Sequence, residues 1–219
     1  MKTLGVLGGM GPAATVAFMA RVQALTPAEG DEDHIRMIVD LNPQVPHRHT
    51  RAVEAGETLG GMAATLRDAG AEILCMPCNT AHAHADAIRA AGLPFIDMVA
   101  ETAASASSDG ARRIGVLATP GGEALYATTL EALGCDIVRL EGEDRAAFME
   151  AVFAVKRGDV GEGPRTAMRR LAAGLVSNGS EAVIGGCTEV PLLLAQGDVS
   201  VPFTDSAEVL AIRCVKLCR

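Results

Sequence analysis

Short apolar runs alternate with longer amphipathic segments along the whole chain. Several runs are continuously apolar, which is typical of strands buried on both faces of a parallel sheet. Strands are predicted at residues 3–7, 35–41, the run before Cys78, 93–96, 113–118, 135–140, 181–185 and 201–204. Helices are predicted at residues 13–25, 55–70, 79–91, 97–107, between Gly122 and Leu133, around 148–157, at 164–178, from 191 towards 195, and at 205–219. This alternation predicts an α/β fold.

The two halves of the chain repeat the same landmarks in the same order. The positions of Gly5 and Gly115 differ by 110, those of Cys78 and Cys187 by 109, and the Leu-Pro-Phe and Val-Pro-Phe strands that begin at 93 and 201 differ by 108. Repetition at a nearly constant offset indicates a duplicated unit. We expect two pseudo-symmetric domains, each a parallel sheet flanked by helices. The first comprises residues 1–98 plus 206–219, because the terminal helix is expected to return to it, and the second comprises residues 99–205.

Composition limits the classes of partner. The chain has 219 residues, of which 49% are hydrophobic and only 3% aromatic, so the predicted core is aliphatic and alanine-rich. No run approaches the ~20 apolar residues of a membrane span, and the N-terminus lacks a signal-peptide pattern. We therefore expect a cytoplasmic protein. The net charge of −8 argues against nucleic acid and anionic membranes as partners, while a small anionic substrate is compatible with it.

The chain has six cysteines, which we expect to be reduced. Cys75 and Cys78 form a C-x-x-C motif, which raises redox and zinc hypotheses. No second such motif accompanies it, and Cys75 falls inside an apolar run, where a buried structural thiol is the ordinary expectation. Cys214 and Cys218 are expected to be packing residues on the last helix.

Two of the cysteines occupy matching turns. Cys78 and Cys187 each follow a short apolar run and precede a polar pair and a segment compatible with a helix. A thiol at the start of a helix lies near unsatisfied N–H groups and the positive end of the helix dipole, both of which lower a cysteine pKa. The repetition predicts a symmetric pair of thiols.

Other polar positions are less decisive. Gly8-Gly9-Met10-Gly11-Pro12 leads from a strand into a helix and suits an anion, either carboxylate or phosphate, but it is not the dinucleotide pattern. The loop at 42–50, with two prolines and Arg48, leaves a strand at the end where parallel sheets bind ligands. By composition alone this loop is an ordinary solvated surface. His82 and His84 lack partners at metal-binding spacing, and we interpret them as hydrogen-bonded supporting residues.

Three motifs together resemble the aspartate/glutamate racemase family over essentially the whole chain. They are Gly8-Gly9-Met10-Gly11-Pro12, Met76-Pro77-Cys78-Asn79-Thr80-Ala81-His82 and Gly186-Cys187-Thr188-Glu189-Val190-Pro191-Leu192-Leu193. The resemblance implies an isomerase that interconverts amino-acid enantiomers without a cofactor or metal, in a cleft between its two domains, and commonly as a homodimer. It also implies that Cys78 and Cys187 are the two catalytic acid–base groups. Glu189, where glutamate racemases usually carry histidine, is similar to the aspartate racemase branch.

The same resemblance implies a set of substrate-binding residues. Pro43-Gln44-Val45-Pro46-His47-Arg48 matches a family motif whose arginine binds the distal carboxylate, which reverses the composition-based view of Arg48. Lys156 matches the family's second cation. The complete expected set is Met10, Arg48, Asn79, Thr80, Thr119, Lys156, Thr188 and Glu189. The chain departs from the family at Gly122-Glu123, where a hydroxyl is usual at position 122.

We therefore predict a racemase acting on aspartate. The alternatives are a racemase for glutamate or for a broader range of acidic amino acids, and a decarboxylase or cis–trans isomerase of the same fold. The C-x-x-C redox or zinc protein is the alternative outside enzymes of this fold. It requires Cys75 and Cys78 to act together, whereas racemisation requires Cys78 and Cys187.

Overall fold

The computed structural model describes residues 1–219, which divide into two compact units. One unit consists of Met1–Met98 and Ala207–Arg219, and the other of Val99–Ser206. The strands are β1 Leu4–Gly8, β2 Met37–Leu41, β3 Ile73–Cys75, β4 Phe95–Ile96, β5 Arg113–Leu117, β6 Asp136–Val138, β7 Ala182–Gly185 and β8 Phe203–Asp205. The helices are α1 Pro12–Leu25, α2 Ala52–Asp68, α3 Ala85–Arg89, α4 Met98–Ser107, α5 Pro120–Ala132, α6 Gly142–Lys156, α7 Glu162–Ser177 and α8 Ser206–Cys218. Single 3-10 turns occur at Asp31–Asp33, Thr80–His84, Val190–Leu192 and Gln196–Asp198.

Each unit contains one four-stranded parallel sheet, and the two sheets have the same topology. The strand order is β2-β1-β3-β4 in the first and β6-β5-β7-β8 in the second. All six strand pairings are parallel. The α/β fold expected from the repeat is confirmed, and corresponding strands carry corresponding motifs.

Both faces of each sheet are covered by apolar clusters, which explains why the strands are apolar at consecutive positions. Side chains alternate between the two faces of a strand. In β3, Ile73 and Cys75 join a core with residues of α1 and α8, whereas Leu74 joins a core with residues of α2 and α3. In β7, Val183 faces residues of α6 and α7, and Ile184 faces residues of α4 and α5.

The helix predicted at 79–91 is wrong in its first half. Residues Thr80–His84 form a 3-10 turn, and only Ala85–Arg89 are α-helical. The cause is a competing hydrogen bond, because the carbonyl of Cys78 lies 2.9 Å from the ring Nδ1 of His82. The backbone N–H of His82 donates instead to Asn79, three residues back, at 3.0 Å.

The second cysteine turn likewise lacks the helix expected from 191. Pro191 has no N–H to donate to the carbonyl of Cys187. That carbonyl accepts from the N–H of Val190 at 2.9 Å, and a single 3-10 turn results. Other differences include the later starts of β2 and β8, the shorter strands β4 and β6, and an earlier start of α7 at Glu162, since Pro164 is tolerated in a first helical turn.

Gly9 allows the first glycine turn to lie directly against the loop that carries Arg48. Its φ is +99°, and a Cβ at this position would lie 2.3 Å from the carbonyl carbon of Asn42. We expect Gly9→Ala to lower the free energy of unfolding by at least about 2 kcal/mol, since strain and backbone overlap act together. Urea unfolding measures this change.

The control for that substitution is Gly61→Ala. Gly61 lies inside α2, and a Cβ there meets no atom within 4 Å. Alanine in a helix interior is favoured over glycine by ~0.5–1 kcal/mol, so this variant should be slightly more stable. Equal effects at the two positions would contradict the close-approach argument.

None of the helices is both long enough and apolar enough to traverse a bilayer.

Candidate active site

Cys78 lies just beyond the carboxyl end of β3, where the chain turns away from the sheet. Its N–H donates to the carbonyl of Met76 at 2.8 Å, and its side chain joins the core formed with α2. Cys78 is 5% exposed. Met10, from the glycine turn after β1, belongs to the same cluster. Two predicted site residues from different strand ends, Met10 and Cys78, thus lie in one cluster.

His82 fixes the backbone of this turn. Its Nε2 accepts a hydrogen bond from the N–H of Met98 at 3.0 Å, so its Nδ1 carries the proton and donates to the carbonyl of Cys78. Burial lowers the pKa of His82, which keeps the ring neutral. The ring is engaged at both nitrogens and is a supporting residue, as expected.

Arg48 lies in the loop between β2 and α2. The carbonyl of Arg48 accepts a hydrogen bond from Nε2 of His84 at 3.1 Å, which attaches the loop to the segment after Cys78. The Nε of Arg48 is buried and has no hydrogen-bond partner. A buried guanidinium N–H without an acceptor is costly. The unused Nε donor of Arg48 would therefore be satisfied by an anionic ligand.

Cys187 occupies the corresponding turn at the end of β7, and a carboxylate adjoins it. Its thiol donates a hydrogen bond to Oε2 of Glu189 at 2.9 Å, and the hydroxyl of Thr188 donates to the same oxygen at 3.4 Å. Cys187 is 7% exposed and Glu189 3%. Gly186 lies close to the ring of Tyr126, since a Cβ at 186 would be 2.7 Å from its Cε2.

Lys156, the last residue of α6, also lies at Glu189. Its Nζ is 3.4 Å from Oε1 of Glu189, and that oxygen is buried without a hydrogen bond. Lys156 was expected to bind the distal carboxylate of a substrate, and here it neighbours a carboxylate of the protein. The two functions are compatible because an ammonium has three donors.

The remaining predicted residues lie in the turns at the strand ends. Asn79 is buried and Thr80 half-buried in the turn after Cys78. Thr119 follows β5 and caps α5, its Oγ1 accepting from the N–H of Gly122 at 3.3 Å. The hydroxyl of Thr119 thus holds the start of α5.

Glu123 was noted in the sequence only as a departure from the family, and the structure shows its partners. Its two carboxylate oxygens each accept from Nη2 of Arg145 at 3.0 Å, and Nε of Arg139 lies 3.3 Å away. The same Arg145 nitrogen donates to the carbonyl of Leu140 at 2.9 Å. Glu123 therefore carries a compensated charge and ties the start of α5 to the segment between β6 and α6.

The C-x-x-C pair is split between the two faces of the first sheet. Cys75 belongs to the cluster with Cys214 and Cys218, whereas Cys78 belongs to the cluster on the other face. Burial, followed by the hydrogen bond with Cys214, raises the pKa of Cys75 well above its ordinary value. All six cysteines are free, and no group of three His, Cys, Asp or Glu side chains is arranged to hold a metal. These placements argue against the redox and zinc hypotheses.

The geometry corrects one expectation about the cysteines. Neither Cys78 nor Cys187 precedes an α-helix directly, since each leads into a 3-10 turn. The segment that follows each thiol therefore does not supply the long helix dipole that the pattern predicted. The charged neighbour of Cys187 is Glu189, which a pattern-based argument did not connect to it.

Several known proteins similar to this chain are named racemases. The family model described as Asp/Glu/hydantoin racemase matches residues 7–214. The broad-specificity amino-acid racemase RacX of Bacillus subtilis (strain 168) is 26% identical over 218 residues, covering 95% of this chain and 94% of its own. A glutamate racemase of Pseudomonas paraeruginosa is 30% identical over 206 residues, covering 88% of this chain and 74% of its own.

A solved structure of the same fold matches this chain over its whole length. The aspartate racemase of Picrophilus torridus superimposes with a TM-score of 0.89 at 27% identity, covering 100% of this chain and 94% of that one. The sequence match spans both cysteine turns, and the structural match spans both sheets. The chain therefore belongs to the Asp/Glu/hydantoin racemase family of isomerases.

Proposed function

We propose that this amino-acid racemase interconverts L- and D-aspartate without a cofactor, with Cys78 and Cys187 acting on opposite faces of Cα. The observation that carries the proposal is the presence of one cysteine at the same strand end in each of two sheets of identical strand order. Similarity to the P. torridus enzyme, which is named an aspartate racemase, supports the choice of substrate.

Two thiols suit this reaction because the proton leaves from one face and returns on the other. In each direction one cysteine starts as thiolate and removes the Cα proton, and the other starts as thiol and donates. After one reaction the two cysteines have exchanged their protonation states, so the opposite direction uses the same two sulfur atoms. Acid–base groups of this kind contribute ~10²–10⁴-fold each. The remaining barrier is lowered by donors that stabilise charge on the α-carboxylate as the enolate forms.

The α-carboxylate is assigned to the two cysteine turns and the start of α5. Asn79 and Thr80 in the first half, and Thr119 and Thr188 in the second, offer side-chain and backbone donors there. Met10, buried in the same apolar cluster as Cys78, supplies an apolar wall. The assignment extends the resemblance residue by residue and is supported by the position of all five at the carboxyl ends of strands.

The distal carboxylate is assigned to Arg48 and Lys156. Nε of Arg48 is a buried donor without a partner, and Nζ of Lys156 lies beside Glu189 with donors to spare. An arginine can bind a carboxylate with two parallel hydrogen bonds, whereas a lysine acts as a point charge. A dicarboxylic amino acid satisfies both cations.

A broader acidic substrate range is the second candidate. The similarity to RacX, named a broad-specificity amino-acid racemase, covers nearly the whole of both chains. Glutamate presents the same two carboxylates with one more methylene, and a single methylene changes discrimination by only ~10–200-fold. A decarboxylase or a cis–trans isomerase of this fold is a further alternative, and the presence of both cysteines disfavours the decarboxylase.

The cytoplasmic location expected from the sequence stays a prediction. The homodimer expected from the resemblance stays a prediction.

Solvent-deuterium exchange tests the proposal. In D2O, we expect proton NMR to show loss of the Cα signal from both L- and D-aspartate, slower loss from glutamate, and none from alanine, whose side chain has no carboxylate. Exchange should persist with EDTA and hydroxylamine, which remove metals and block carbonyl cofactors. Equal exchange with aspartate and glutamate would favour the broad range, and exchange with none of the panel would contradict racemisation of acidic amino acids.

A further inference from the structure

We infer that Glu189 accepts the thiol proton of Cys187, and that an acidic substrate promotes this transfer by drawing Lys156 away from Glu189. The inference rests on the proposed two-cysteine racemisation and extends it. Glu189 thereby becomes a positioning and proton-accepting residue for one cysteine only, and Lys156 couples substrate recognition to activation of that cysteine.

The contacts of Glu189 define the proton transfer. The distance of 2.9 Å from Sγ of Cys187 to Oε2 is short for a hydrogen bond from sulfur, and both groups are more than nine-tenths buried. The other oxygen, Oε1, is buried without a hydrogen bond, and Lys156 Nζ lies 3.4 Å from it. A buried carboxylate stays ionised only with a compensating cation. Lys156 is positioned to be that cation.

The first half carries a threonine at the position that Glu189 occupies in the second half. The residue two positions after Cys78 is Thr80, whereas the residue two positions after Cys187 is Glu189. His82 cannot replace it, because Nδ1 of His82 donates to the Cys78 carbonyl and Nε2 accepts from Met98. The duplicated scaffold thus places its two thiols in chemically different surroundings.

Lys156 gives the asymmetry a dependence on substrate. When the distal carboxylate of the substrate binds Nζ, the positive charge is shared and Glu189 is less stabilised as an anion. The proton that lies next to the Glu189 carboxylate is the one on Sγ of Cys187, at a distance of 2.9 Å between the heavy atoms. A substrate without a distal carboxylate leaves Lys156 on Glu189 and leaves Cys187 protonated.

The protons balance over a turnover. Cys187–SH and the Glu189 carboxylate become thiolate and carboxylic acid, and the thiolate takes the Cα proton. The Cys78 thiol then donates to the opposite face and is left as thiolate. After product release Glu189 loses its proton to solvent and Cys78 gains one, so none is consumed. In the reverse direction Cys78 first loses its proton to solvent while Glu189 takes one up, the Cys78 thiolate removes the Cα proton, and Cys187 donates to the opposite face and recovers its proton from Glu189.

Racemisation kinetics alone do not reveal this asymmetry, because the two enantiomers have an equilibrium constant of one and kcat/KM must change equally for both. Elimination from 3-chloroaspartate separates the halves. One cysteine removes the Cα proton, the electron pair forms the Cα–Cβ double bond, and chloride leaves. The enamine hydrolyses to oxaloacetate and ammonium. Each Cα configuration therefore reports on one thiol, which Cys78→Ala and Cys187→Ala identify.

We expect Glu189→Gln to lower chloride release from the Cys187-dependent enantiomer by about 10²-fold. Release from the Cys78-dependent enantiomer should change less than about threefold, because the thiol that donates to Glu189 is that of Cys187. Equal losses for both enantiomers would overturn the inference and identify Glu189 as a structural residue. If neither enantiomer depended on either cysteine, the proposed two-cysteine function itself would fail, which is a separate result.

Lys156→Met tests the coupling and does not depend on the folding of the Glu189 variant. The quantity compared is the ratio of kcat for elimination from 3-chloroaspartate to kcat for elimination from 3-chloroalanine. In the unmodified enzyme this ratio should be larger for the Cys187-dependent configuration than for the Cys78-dependent one. In Lys156→Met, the ratios for the two configurations should be equal within about threefold. The control is Arg157→Gln, the next residue, whose side chain is 62% exposed and pairs with Glu150. A persistent difference in Lys156→Met would overturn the coupling.

Discussion

Cys187→Ala is expected to lower kcat for aspartate racemisation at least about 10³-fold, and Cys78→Ala to do the same. Each variant lacks either the group that removes the proton or the group that returns it, depending on direction, so both directions fail in both variants. Polarimetry with each enantiomer measures the loss. The two variants should also lose deuterium incorporation into product, because inversion requires both faces of Cα.

The matched control is Cys75→Ala. Cys75 is the other half of the C-x-x-C motif, yet its side chain lies in the core with Cys214 on the far face of the sheet. We expect this variant to keep racemisation within about threefold when it is assayed below its melting temperature, since a buried Cys acts as a small hydrophobe. Full activity in Cys187→Ala, or loss of activity in Cys75→Ala at unchanged stability, would contradict the assignment of the two bases.

The repeat was visible in the sequence because it depends on local patterns. The glycine turns, the cysteine turns and the Pro-Phe strands recur at a nearly constant offset, and duplication implies a shared strand order. The strand order is β2-β1-β3-β4 in the first unit and β6-β5-β7-β8 in the second, so the two sheets have the same topology. Continuous apolar strands likewise indicated parallel sheets with covered faces.

The helices after the two cysteines were mispredicted because specific side chains overruled the pattern. In the first turn, the ring of His82 occupies the Cys78 carbonyl that an α-helix needs. In the second, Pro191 cannot donate the corresponding bond. Alanine content predicted a helix at 79–91, but propensity is a weak preference that a single competing hydrogen bond can override.

The charged contacts could not be predicted from the sequence because they join residues that are distant in the chain. Lys156 and Glu189 were both predicted substrate-binding residues, but nothing in the sequence indicated that they neighbour each other. Glu123 was noticed as an unusual residue, while Arg139 and Arg145 were not recognised as its partners. Long-range ion pairs follow from how α6 packs on its sheet, which patterns along the chain do not specify.

Arg48→Ala is expected to lower kcat/KM for aspartate by about 10²–10³-fold. Truncating one partner of a buried, hydrogen-bonded charge pair costs ~2–5 kcal/mol, and the buried Nε of Arg48 has no other acceptor. The loss must be equal for the L and D enantiomers. Arg48→Lys should recover only part of it, because lysine keeps the charge and loses the two parallel hydrogen bonds.

A comparison of aspartate with asparagine shows whether Arg48 binds the distal carboxylate or only supports the loop. Asparagine has the shape of aspartate without the distal charge, so the ratio of deuterium exchange for aspartate over asparagine should fall by about 10²-fold in Arg48→Ala. The loop itself is retained, because His84 bonds the backbone carbonyl of Arg48 and not its side chain. Arg51→Ala, in the same loop but exposed and paired only with Glu54, should leave the ratio unchanged. If Arg48→Ala slowed both amino acids by the same factor, Arg48 would shape the loop and the distal carboxylate would be bound elsewhere.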